Sequence, residues 1–119
     1  MRKTVLFVLA TLGAATPALA APSANQDRTG YKAIAAGDLS AAEQRIVAER
    51  KIFPQRPELM LNLASVYQRT GRDSEARALY AAVLERPAVA MDLPSGAVAS
   101  SHDLASRALA RQSRQIATR

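Results

Sequence analysis

The 119-residue chain has no cysteine, no tryptophan, a single histidine and few aromatics, three tyrosines and two phenylalanines. Each shortage removes a class of function. Without cysteine there is no disulfide framework and no thiolate nucleophile. One imidazole and no thiol also fall short of the ligand set of a zinc site. Glycine is scarce, five residues in all, and no glycine-rich phosphate loop occurs. The acidic side chains Glu43, Glu49, Glu58, Glu75 and Glu85 are spaced like solvent-facing helix positions. The run Ser101-His102-Asp103 holds triad residue types, but chain neighbours do not create triad geometry. No enzymatic activity, cofactor or metal is therefore expected.

The long apolar run that a membrane span requires is missing too. Thr4–Ala15 is the main apolar stretch, and it is shorter than the roughly 20 residues of a spanning helix. Arg2 and Lys3 precede it, Thr16-Pro17 breaks it, and Ala18-Leu19-Ala20 supplies small residues at its end. That order predicts a secretory signal peptide, residues 1–20, cut between Ala20 and Ala21. The product would be exported to a periplasm or the extracellular space, an oxidising setting that suits a chain without thiols. Residues 21–29 are polar and aperiodic and are expected to form a flexible leader.

What is present is helical patterning. A short helix is expected near Gly30–Ala36, followed by a turn at Gly37-Asp38 with Asp38 as the next cap. Leu39 to Ile52 forms the next helix, with Leu39, Ala42, Ile46 and Phe53 to one side and Pro54 and Pro57 ending it. A third helix starts at Pro57, with Glu58 in its first turn, where the helix dipole favours a negative charge. Met60, Leu63, Ala64 and Tyr67 recur along it at i, i+3, i+4, i+7. Gly71 closes it, and a fourth helix carries Ala76, Leu79, Tyr80, Val83 and Leu84 before Pro87. Residues 88–99 read as a loop, and 100–119 as a terminal helix and tail, with Asp103 in a capping-box position after Ser100. The class is all-α.

Gly37 and Gly71 lie 34 residues apart, and so do Ala42 and Ala76, and Ile46 and Tyr80. A two-helix unit with that period is the signature of a helical repeat array. Leu63-Ala64, Tyr67, Gly71, Ala76, Tyr80, Val83-Leu84 and Pro87 resemble the tetratricopeptide repeat pattern. The resemblance is strong over 57–87 and degenerate over 30–56. Ala64 stands where the pattern has glycine, and Pro87 comes one residue early. It implies about two units, packed through Leu63, Ala64, Tyr67, Gly71, Ala76 and Tyr80, with the terminal helix as a cap.

The resemblance also implies a partner: a peptide or protein held in a groove lined by the first helix of each unit. Carried onto this chain, the groove face is Glu58, Leu61, Ser65, Gln68 and Arg69. Leu61 stands out because it is apolar yet lies off the main stripe; packing on the loop after Pro87, or simple exposure, is the more ordinary explanation. A carboxylate clamp is not expected, since Ser65 takes the place of the asparagine such clamps use and no lysine lies nearby. A separate feature is the stripe Arg107, Arg111 and Arg114 on the terminal helix, at i, i+4, i+7, where Asp103 can pair with Arg107. It allows docking on an anionic membrane surface, or it is a solvated face on a capping helix. Self-association into a homo-oligomer is the third alternative, since two units are few. The formal charge is +6, but acids are interleaved through 38–86, so nucleic acid is not an expected partner.

Overall fold

A computed structural model describes residues 27–118. The signal peptide and cleavage point expected over 1–21, and the first part of the leader, lie outside the described residues. Five helices follow in order: α1 (Tyr31–Ala35), α2 (Leu39–Ile52), α3 (Pro57–Arg69), α4 (Asp73–Leu84) and α5 (Ser101–Ala117). Two short strands, β1 (Ala90–Asp92) and β2 (Val98–Ser100), lie between α4 and α5. The expected all-α class therefore needs a correction: residues 88–99 are not a plain loop but mostly an antiparallel hairpin, with Met91 opposite Ala99. Its turn is closed by the Gly96 N–H donating to the Leu93 carbonyl at 2.9 Å, with Gly96 at φ 83°. Pro94 pre-sets the first bend and glycine takes the left-handed position, the residue types such a three-residue hairpin loop selects.

The helix boundaries follow from local chemistry. The Asp38 carboxylate accepts from the Ala41 N–H at 3.1 Å and caps α2. Pro57 opens α3 as its first residue, where a missing N–H costs nothing. Gly37 and Gly71 both sit at φ 78°, so the period seen in the sequence returns as the same left-handed turn after the first helix of each unit. At the start of α5, the Ser100 hydroxyl accepts from the His102 N–H at 3.2 Å. That is a simple serine cap and not the reciprocal capping box expected with Asp103.

Helix α3 is the spine, and its faces are used three ways. Leu59, Leu63 and Val66, all 1% exposed or less, face Ala33, Ala42 and Ile46 of the first unit. Met60 and Ala64 face Ala76, Tyr80 and Val83 of α4 and Ala105 and Ala108 of α5. Tyr67 and Leu79 touch both clusters. Ala64 and Ala76 are fully buried, and their small side chains let α3 and α4 approach closely. Phe53, expected on the buried side of α2, is instead 45% exposed, with the Arg56 guanidinium 6.0 Å from its ring.

The stretch 27–29, expected as the end of a flexible leader, is tied down. The Asp27 carboxylate is 6% exposed, accepts from the Ala33 N–H at 3.0 Å and lies 3.6 Å from Arg45. It thus satisfies a first-turn donor of α1, which has no cap from Gly30. Asn62 of α3 donates to the Thr29 carbonyl at 2.9 Å, and Arg69 to the Ile34 carbonyl at 3.3 Å. Helix α3 thereby holds both ends of α1.

The two units are also joined by charge. Arg72 grips Glu43 with two nitrogens, each 2.7 Å from a carboxylate oxygen, and its guanidinium lies 4.3 Å from the Tyr67 ring. The hydrogen bonds from Arg72, outweighing partial desolvation, lower the Glu43 carboxyl below its ordinary range. A lowered folded-state value means that the pair stabilises the fold at neutral pH. That contribution fades as acid carries the solution below about 4.3, where the unfolded glutamate protonates, and through the folded value. The melting-temperature gap between wild type and Glu43→Gln is therefore expected to be wider at pH 7 than at pH 3. An equal gap at both would remove the pair from the account.

Candidate functional site

Positions 58, 61, 62 and 65 of α3 share the third face of that helix, and they line a cavity. It has a volume of about 580 Å³ and lies between α1, α3, α5 and the hairpin. Thr29, Tyr31 and Ile34 form one side, Leu104 of α5 contributes another, and Met91 to Pro94 of the hairpin form a rim. Its walls are mostly apolar with a few polar groups, the make-up expected of a ligand cleft. The ionisable side chains in the lining are Glu58, Asp92 and Tyr31.

Of the five residues expected on a groove face, Glu58, Leu61 and Ser65 line this cavity. Leu61 is 8% exposed and also packs into the α3–α4–α5 cluster, so its off-stripe position reflects both a cavity wall and core contact. Gln68 and Arg69 do not line it. Gln68 accepts from the Tyr80 hydroxyl at 3.2 Å, and burial raises that phenol's pKa, against a smaller opposing effect of Arg111. Arg69 is committed to the Ile34 carbonyl.

Sequence reasoning missed Asn62, the α1 side and the hairpin rim. Asn62 was findable, as it lies four residues after Glu58 on the same helical face. The Pro94-Ser95-Gly96 turn between short apolar runs was the available sign of a hairpin.

Helix α5 takes the place of a first helix in a third unit. Leu104-Ala105 repeats the Leu63-Ala64 pair, and Ala105 and Ala108 are buried against the same cluster as α4. The second unit's own stacking pattern thus continues past the inserted hairpin. The family comparison covers the part of the chain before α5. Residues 33–89 match the model of the tetratricopeptide repeat. Residues 33–89 are a tetratricopeptide-repeat segment. No curated protein and no solved structure matched the chain. Tetratricopeptide repeats generally mediate protein–protein interaction, and the family is in general non-enzymatic. The cavity described above lies between α1, α3, the hairpin and α5, of which the hairpin and α5 are beyond the matched segment.

The basic stripe is elsewhere. Arg107, Arg111 and Arg114 are all exposed, and a shallow hollow lies beside Arg111, Arg114, Gln115 and Thr118. Asp103 and Arg107 do not form the expected pair; the ion pairs between described residues include Arg45–Asp27, Arg56–Glu58 and Arg72–Glu43. Ala105, Ala108 and Gln112 of α5 are buried. The apolar side of that helix is thus occupied by the repeat itself, leaving Ile116, 49% exposed, as its large exposed apolar residue. No helix among the described residues is long and apolar enough to cross a membrane. The Ser101-His102-Asp103 run does not converge. Ser101 is fully buried and its hydroxyl accepts from the Val89 N–H, while His102 Nε2 donates to the Arg86 carbonyl and Asp103 is exposed.

Proposed function

We propose that the protein is an exported scaffold that binds a peptide or protein partner in the cavity between α1, α3, α5 and the hairpin. The observation that carries this reading is the third face of α3. A helix already buried on two faces also presents Leu61, Asn62 and Ser65 to an open, largely apolar cleft. Export is supported by the order of Arg2-Lys3, the apolar run and Ala18-Leu19-Ala20. An intact mass beginning at Ala21 in protein recovered from an expressing cell's exported fraction is expected; a retained leader in that fraction argues against cleavage there.

Ser65→Trp tests the groove, because a large ring placed on the cavity wall fills the cleft without burying a charge. Partners captured by wild type from an envelope extract are expected to be lost on that variant and kept on Arg107→Ala. Identical partner sets for all three proteins would take the groove out of consideration.

A further inference from the structure

We infer that the groove selects an apolar segment carrying a basic residue, a Lys or Arg beside an aliphatic side chain. This deepens the peptide-binding reading and rests on it. The lining is apolar through Ile34, Leu61, Leu93 and Leu104, yet its charged groups are both carboxylates, Glu58 and Asp92. That sign is opposite to the chain's formal charge of +6.

Arg56 and Glu58 compensate one another through an ion pair at 2.8 Å, and Arg69, which is not in the cavity lining, donates to the Ile34 carbonyl at 3.3 Å. Asp92 is exposed and belongs to none of the ion pairs among the described residues. It is therefore the carboxylate of the lining that no cation among the described residues compensates. Tyr31, 45% exposed, adds an accessible ring face in the lining. A Lys or Arg fits this set in two ways. Its aliphatic stem lies along apolar wall while its head reaches carboxylate or ring. An acidic segment would set a like charge against Asp92 and bind more weakly.

The experiment uses the full mature chain and three capped, dye-labelled peptides with the same two leucines, flanked by arginines, glutamines or glutamates. Fluorescence anisotropy is expected to show the arginine peptide binding about one and a half- to fivefold tighter than the glutamine peptide, the range of one exposed ion pair. The glutamate peptide should be weakest. Glu58→Gln combined with Asp92→Asn, both conservative in shape, should bring the arginine, glutamine and glutamate peptides to the same affinity on that variant. Ser65→Trp should weaken both the arginine and the glutamine peptide.

Equal affinities for all three peptides, still sensitive to Ser65→Trp, would overturn the charge selection and leave the groove standing. Binding insensitive to Ser65→Trp, or no binding at millimolar peptide, would overturn both. Light scattering that shows self-association abolished by Ser65→Trp would assign the groove to a second copy and overturn the selection of a basic partner.

Discussion

Ile46→Ala is expected to cost about 2–5 kcal/mol, the usual loss when a large aliphatic side chain is cut back in a closed core. Ile46 is fully buried and packs with Leu59, Leu63 and Val66, so it joins the first unit to α3. In a domain of this size each kcal/mol lowers the melting temperature by about 4–8 °C, so a fall of at least about 8 °C should follow. Small domains carry only about 5–15 kcal/mol of stability, so the variant should be close to unfolding at growth temperature. A melt within about 0.5 kcal/mol of wild type, the scatter of a surface change, would mean that α2 does not pack as described.

Gly30→Ala is the second large effect. Gly30 has φ 71°, a region costing a side-chain-bearing residue about 1–2 kcal/mol. A Cβ there would also stand 2.6 Å from Ile46 Cγ1 and 2.7 Å from Cδ1. Overpacking of that kind adds about 1–3 kcal/mol. Gly71→Ala shares the positive φ, but nothing lies within 4 Å of its Cβ position, so it should lose only the conformational part. The two glycines thus separate conformation from crowding. Ile46→Ala removes the atoms that the new methyl would strike. The double variant Gly30→Ala plus Ile46→Ala should therefore be less destabilised than the sum of the single losses. Strict additivity in urea melts would contradict the contact.

The central hairpin was legible because its signals are local. Asp38, Pro57 and Gly71 each mark a boundary through their own backbone chemistry, and the Ala42–Ala76 and Ile46–Tyr80 pairs return as equivalent buried positions. Leu61 was visible as an apolar residue out of phase. What stayed hidden depends on contacts between distant residues. Asp27 reads as part of a polar leader until Ala33 and Arg45 come to it. Asn62 and Thr29 meet across 33 residues. Gln112 reads as surface on composition, yet it is 1% exposed and donates to the Asp73 carbonyl at 2.7 Å, joining α5 to the start of α4. Tertiary pairing of this kind leaves no periodic trace in either partner.

The candidate groove divides the same way. Glu58, Leu61 and Ser65 were readable from the face of one helix. The rim was not, since a hairpin of two three-residue strands is too short for alternation to stand out. Gln68 and Arg69 continue along α3, but they are drawn to Tyr80 and to the end of α1 by hydrogen bonds that a helical wheel does not contain.

The most direct measurement is a backbone NMR titration of the mature chain with the arginine-flanked peptide. Shifts should concentrate at Leu61, Asn62, Ser65, Met91 and Asp92, and leave Val47 and Arg107 still. Shifts gathered on the outer face of α2 or along Arg107, Arg111 and Arg114, with the α3 positions unmoved, would contradict a partner seated between the first helices and the hairpin.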